Sequence, residues 1–373
     1  MWTLARKLLL HDRIKFLVAS AGVSVSVLMV LLQVGLYLGF MQNASNLIDH
    51  SAADFWVTGE GNENFDFAAP MPEDAYYRVA STPGVARAER MLLAFGQWRL
   101  SNGGTQGVEV VGLERDARLL RPWQVVGGDA RRIAETDGIV VDRSEFPKLG
   151  AQGIGDTNEI FGVRSEIVAV TEGIRSFTTS PFVFANLETA HAYVRFPADR
   201  ISYVLVEAAP GADRDALLER LNGLSHLEAY PTAAFSERTR GYWSERTGVG
   251  AGFFTTAVMA VLVGFVVVGQ ILYTGTLAHL REYGTLKAMG ATNAGIVGVV
   301  LLQALLSGAI GYVVGGGLSF LARGAVAAAN LNLVLSTPLL VGTAILTVLM
   351  CSFAAILSIV KVVRLDPASV FKG

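Results

Sequence analysis

Four long apolar runs divide the chain, covering residues 14–40, 250–278, 293–322 and 338–360. An α-helix rises 1.5 Å per residue, so each run is long enough for the roughly 30 Å hydrocarbon core of a bilayer. The pattern predicts four transmembrane helices. Residues 41–249, between the first two runs, have no such stretch and are too many for a loop, so they are expected to form a domain.

Inside that domain the periodicity changes. Asp54–Thr58, Gly107–Leu113, Gly138–Asp142, Ser165–Thr171 and Tyr203–Glu207 alternate or run apolar in the manner of strands. Glu73–Ser81, Leu187–Val194 and Asp213–Leu224 read as helices, the last opened by Asp213 as N-cap. The expected fold is therefore an α-helical membrane protein of four transmembrane helices, with a large α+β domain inserted between helices 1 and 2. A composition change at 194–200, centred on Phe196-Pro197-Ala198-Asp199, marks a candidate break into two subdomains. The stretch Gly59–Asp74, GEGNENFDFAAPMPED, lacks periodicity and reads as a mobile surface loop. Tyr242 and Trp243, just ahead of the second run, read as aromatics of the outer headgroup belt.

Small residues mark where helices should meet. Ala19, Ala21, Gly22, Ser24 and Ser26 cluster in the first run, and Gly308, Gly311, Gly315, Gly316 and Gly317 in the third. Such positions let backbones approach closely. Gln33, Gln270 and Gln303 are polar exceptions within apolar runs and are candidates for intramembrane hydrogen bonding or packing.

Charge assigns the sides. Arg6, Lys7, Arg13 and Lys15 flank the start of the first run, Arg281 and Lys287 lie in the loop 279–292, and Lys361, Arg364 and Lys372 follow the last run. Short basic segments stay in the cytoplasm. Both termini and the loop 279–292 are thus expected inside, the domain 41–249 and the short loop 323–337 outside. Residues 1–13, MWTLARKLLLHDR, form a basic amphipathic pattern suited to the cytoplasmic interface, and 361–373 form a cytoplasmic tail.

Composition narrows the chemistry. Hydrophobic residues make up 52% of the chain and the formal net charge is −2, so nothing argues for a nucleic-acid partner. The single cysteine, Cys351, excludes an intrachain disulfide. Five scattered histidines give no HExxH, no GxSxG is present, and no GxxxxGK[ST] is available to hold a nucleotide. No catalytic residue, cofactor site or metal site is expected, and nucleotide energy would have to come from another chain.

The loop after the second run reads Arg281, Glu282, Tyr283, Gly284, Thr285, Leu286, Lys287, Ala288, Met289, Gly290, Ala291, and the tail contains Asp366-Pro367-Ala368-Ser369-Val370. With the one-plus-three arrangement of crossings, this resembles the permease subunits of the macrolide-exporter and FtsX superfamily of ABC systems, most of all the stand-alone DevC-type permeases. The resemblance implies a MacB-like periplasmic core domain at 41–249 and ATPase coupling by Arg281 to Gly290. It implies a homodimer in the bacterial inner membrane, two copies of a separate ATPase that binds ATP and magnesium, a periplasmic membrane-fusion adaptor and an outer-membrane channel. The implied activity is export of a lipid, glycolipid, peptide or drug-like substrate by motion passed to the periplasmic domain. Two other branches of the superfamily fit the same residues, a lipoprotein-releasing permease and an FtsX-like regulator of a cell-wall hydrolase.

Overall fold

The computed structural model describes residues 13–278, 292–329 and 331–363, together with Glu282, Thr285 and Met289. The chain divides at Gly39/Phe40 and Gly248/Val249 into a helical unit and an inserted unit, Phe40–Gly248. The amphipathic segment expected at 1–13 falls outside the described residues except for its last position, as does the tail from residue 364.

The helical unit contains four helices long and apolar enough to cross a membrane. They are α1 (Arg13–Ala44), α8 (Val249–Ala278), α9 (Asn293–Ala328) and α10 (Thr337–Val363). Three run beyond their expected ends, α10 by reaching Val363. The last turn of α1 continues past residue 40, and α9 takes in the first part of the segment read as a loop, where Ala325, Ala327 and Ala328 favour helix.

Close packing holds these helices together. On α8, Ala260, Gly264, Val268, Leu272 and Thr276 are buried at strict four-residue spacing, while Phe254, Leu262 and Val266 face outward. Ser26 of α1 donates to the Ala260 carbonyl at 2.8 Å. A methyl group on Gly311 would lie 2.5 Å from Val23 Cβ, and one on Gly315 would lie 2.5 Å from the Ser24 carbonyl, so only glycine lets α9 approach α1 this closely. Gly316 and Gly317 have no such neighbours. Tyr312 closes the α9 to α10 contact by donating to the Leu340 carbonyl at 2.9 Å.

The inserted unit is built on one ten-stranded sheet. In chain order its strands are β1 (Phe55–Gly59), β3 (Val85–Arg99), β4 (Thr105–Leu113), β5 (Val125–Gly128), β6 (Gly138–Asp142), β7 (Thr157–Ile160), β8 (Val163–Thr171), β9 (Phe182–Asn186), β11 (Tyr203–Ala208) and β12 (Leu227–Pro231). A separate pair joins β2 (Met71–Pro72) to β10 (Arg200–Ile201). The main order is β12-β1-β11-β3-β4-β9-β6-β8-β5, with β7 paired to β3 and β8. Pairing is parallel at β4/β9 and β6/β8.

The central strands β1, β6 and β9 are buried along their whole length because helices cover both faces. On one face, α3 (Asp74–Ala80) and α6 (Arg214–Asn222) place Ala75, Val79, Leu217 and Leu221 against Val57, Val204 and Val206. On the other, α2 (Asn46–Asp49) and α7 (Thr232–Gly241) bring Leu47, Ile48 and Phe235 onto Trp56, Tyr203 and Leu205. The helix α5 (Leu187–Val194) lies close on β4 at Gly112, where a methyl group would come within 2.6 Å of Ala190 Cβ. Asp213 caps α6 through its side chain, accepting from the Asp215 and Ala216 amides.

The candidate break at 194–200 does not divide this unit. Arg195 ends α5 in a left-handed conformation, and after a short loop β11 returns to the middle of the same sheet, between β1 and β3. Proline and glycine-like backbone there mark a turn, which uses the same residues as a linker would.

Candidate functional site

Of the residues Arg281 to Gly290, the structure describes Glu282, Thr285 and Met289; Arg281, Tyr283, Gly284, Leu286, Lys287, Ala288 and Gly290 lie outside the described residues. The three that are seen fall at i, i+3 and i+7, which is one face of a helix, and all three are exposed. The Met289 amide donates to the Thr285 carbonyl at 3.0 Å, so the helical turn is formed. Thr292 then caps α9, its hydroxyl accepting from the Gly295 amide at 3.2 Å.

The three glutamines are not brought together. Val267 of α8 packs on Gly22 of α1, which places Gln270 toward the same end of the bundle as the charged loop. Gln303 precedes Gly311, the α1 contact, on that same end. Gln33 lies past Gly22 toward the other end, about 16 Å further along α1 at 1.5 Å per residue. Gln270 is exposed; Gln33 and Gln303 are half-buried.

A second constellation lies in the inserted unit, in part on its last segment. The π-helical turn Tyr242–Arg246 carries Trp243, whose indole N–H donates to Asp66 Oδ2 at 2.7 Å. The same indole stacks on Phe177 at 4.2 Å between ring centroids. Phe177 also meets Phe40, edge-on at 5.7 Å. On either side of Phe177, Ser176 and Thr178 donate their hydroxyls to Glu109 Oε1, the former at 2.7 Å. Burial pushes the Glu109 carboxyl up to about 8, reinforced by the charge of Asp66. Burial likewise pushes Asp66 up to about 6, against the lowering effect of the Trp243 N–H and its own backbone amide.

These residues overturn one reading of the sequence. The stretch Gly59–Asp74 is docked, not loose: Asn62, Asn64, Phe65 and Asp66 are buried, and the Asn62 and Asn64 side chains accept from the Ala69 and Phe67 amides at 3.0 Å. Trp243 is anchored inside the inserted unit by Asp66 and Phe177. The available signal was Glu109 itself, one carboxylate in the otherwise uncharged strand sequence GVEVVGL.

Comparison with known proteins places these two regions. A family model described as the MacB-like periplasmic core domain matches residues 16–224, more than half of the chain, and one described as the FtsX-like permease C-terminal matches residues 254–367. The chain belongs to the MacB and FtsX superfamily of ABC transporter permeases. The permease is a multi-pass membrane protein, with the inserted unit as its extracytoplasmic domain. An uncharacterized ABC transporter permease of Mycobacterium tuberculosis strain H37Rv is 22% identical over 350 residues, 92% of this chain and 92% of its own. Another, from Mycobacterium bovis, is 22% identical over 364 residues, 97% of this chain and 96% of its own. Among solved structures, the periplasmic region of MacB from Actinobacillus actinomycetemcomitans aligns at 11% identity over 51% of the permease and 94% of that domain, with a TM-score of 0.36. The extracellular domain of YknZ, a noncanonic ABC-type transporter from Gram-positive bacteria, aligns at 10% identity over 48% and 98%, with a TM-score of 0.35. The FtsX-like match takes in the charged loop and the three helices α8 to α10.

Proposed function

We propose that the permease is the non-catalytic membrane subunit of an ABC-type export system, and that it converts ATP hydrolysis on a separate ATPase into motion of its extracytoplasmic domain. The observation that carries this reading is the path of the chain. A single uninterrupted helix, α8, runs for 30 residues from the end of the extracytoplasmic domain to the charged loop. A helix of that length transmits displacement along its axis, so a push on the loop is delivered to Gly248, the last residue of the domain. In the loop, Arg281, Glu282 and Lys287 offer charge-assisted contacts to a docking groove. Glu282, Thr285 and Met289 are exposed.

In this reading two permeases pair with two ATPase subunits, which hold the ATP and magnesium. Both termini lie in the cytoplasm of a bacterial inner membrane, and a periplasmic adaptor with an outer-membrane channel receives a lipid, glycolipid, peptide or drug-like substrate. The stand-alone DevC-type arrangement fits a chain with no nucleotide-binding motif of its own.

A mild-detergent pull-down of the full-length permease from its native membrane, followed by ATPase assay, tests the proposal. Copurification of an ATPase is expected, with turnover that drops at least tenfold in Glu282→Ala and Gly284→Leu, about the loss of one charge-assisted contact or one close approach. Unchanged binding and turnover in both variants sinks the coupling role. An ATPase without an adaptor shifts the assignment to lipoprotein release or hydrolase control.

A further inference from the structure

The buried carboxylates of the extracytoplasmic domain are not all alike. Glu89 accepts from the Arg118 and Leu119 amides at 2.8 and 2.9 Å and pairs with Arg87. Asp142 accepts from Ser144, Thr171 and the Ile174 amide. The oxygens of both groups are served by donors. Glu109 is as deeply buried, yet Ser176 and Thr178 both donate to Oε1, and Oε2 has no hydrogen-bond partner among the described residues. Its electrostatic neighbour is a second buried acid, Asp66.

Charged and titratable groups on the surrounding segments are turned to other partners. Arg175, in the turn that carries Phe177, donates to Ser144 Oγ. Arg238 of α7 donates to the Asn62 carbonyl, and Arg246 of the π-helical turn pairs with Glu63. Arg240 pairs with Asp49. Glu245 is exposed, and Tyr203 of β11 donates to the Phe65 carbonyl at 2.6 Å. Two anions in a dry site with an unserved oxygen repel strongly; one anion and one neutral acid do not.

What the two acids hold is the stack of Phe177 on Trp243. Asp66 fixes the Trp243 indole, Glu109 fixes the hydroxyls on both sides of Phe177, and the two rings are stacked on each other. Phe67 closes the edge, 6.0 Å from both Trp243 and Phe95. We propose that Asp66 and Glu109 form a proton-dependent clamp: with one proton between them the Phe177–Trp243 stack is closed, and loss of that proton separates the 62–69 loop from β4 and frees Trp243. The two carboxyls titrate as a pair, so the proton belongs to the site and not to one residue. The clamp stands apart from the export reading, since it rests on contacts within the extracytoplasmic domain.

The test is the environment of Trp243 in the full-length permease, held in lipid nanodiscs between pH 5 and 9.5. Subtracting the emission of a Trp243→Phe variant isolates this indole. Acrylamide quenching of the wild type is expected to rise as pH passes through about 8, and this rise is lost in Glu109→Gln, which keeps the shape and cannot ionise. Asp66→Asn leaves a single carboxyl facing a neutral amide that still accepts from the Trp243 indole, so the rise is expected to be lost there as well. Quenching that does not change with pH in the wild type overturns the clamp, as does an unaltered transition in Glu109→Gln or in Asp66→Asn.

Discussion

Where α9 meets α1 the contact is made at Gly311 and Gly315, with backbone and Val23 close against them. Where α7 meets β1 the contact is made by rings: Trp56 lies within 5.8 Å of Phe65, Tyr203 and Phe235, centroid to centroid. The two units bury different residue types because they displace different solvents. In lipid a leucine gains nothing by leaving the tails, so helices associate through close approach and a few hydrogen bonds such as Ser26 to Ala260. In water, burial of large aromatic surface is itself the driving force. Removing bulk should therefore damage the extracytoplasmic domain, and adding bulk should damage the helical unit.

The largest effect is expected from Trp56→Ala. Trp56 is fully buried, and its truncation should cost the domain about 3–5 kcal/mol. Thermal melting of the full-length permease in nanodiscs, followed by the remaining tryptophans and by helical circular dichroism, resolves the two units. The domain transition should fall while the helical signal keeps its midpoint; equal loss in both would mean that the units unfold together and that the contrast has no energetic meaning.

Next comes Gly311→Ala, one added methyl. It would collide with Val23 and sit 2.9 Å from the Ser20 carbonyl, so a cost of about 1–3 kcal/mol is expected in the helical unit. Gly317→Ala is its control. That glycine has no neighbour within 4 Å, and alanine there should be neutral or stabilising by up to about 1 kcal/mol. Matching melting curves for the two variants would dismiss close packing as the basis of assembly.

The same contrast governs how much of the fold is legible in the amino-acid sequence. Runs of apolar residues longer than a bilayer is thick admit one interpretation, which is why the four helices and the inserted α+β domain can be read directly, and short strands such as Gly138–Asp142 keep their predicted ends. The longest strand, β3, is not legible. Its sequence VARAERMLLAFGQWR is dominated by Ala, Arg, Glu, Met and Leu, all good helix formers, and it is held extended by its partner strands β4, β11 and β7. Asp66 and Glu109 are hidden for a related reason: each is an ordinary acid in its own stretch, and their significance arises from an electrostatic interaction across 43 positions of sequence. The residues proposed for coupling lie at the opposite extreme, a contiguous motif in the sequence, of which the structure describes Glu282, Thr285 and Met289, all exposed.

The smallest effect at neutral pH, and the one most specific to the domain, is that of Glu109→Gln on stability. The folded state raises this carboxyl from its ordinary 4.5 to about 8, so over that interval the folded domain binds a proton that the unfolded chain has released. Stability from this group is complete below about 4.5 and is lost as pH climbs through about 8; Asp66 acts in the same direction between 3.8 and about 6. Wild type and Glu109→Gln should melt alike near pH 4, below the unfolded chain's 4.5, and the variant should melt progressively higher as pH rises to 8.5. Asp129 and Glu135, whose carboxyls are held low by Arg131 and Arg132, act at acid pH and leave this window undisturbed. A variant that loses as much stability as the wild type between pH 6 and 8.5 would show that Glu109 ionises without cost. Its unserved Oε2 would then have to find a donor in the alkaline state, and the domain would keep its acids as the helical unit keeps its glycines, for fit alone.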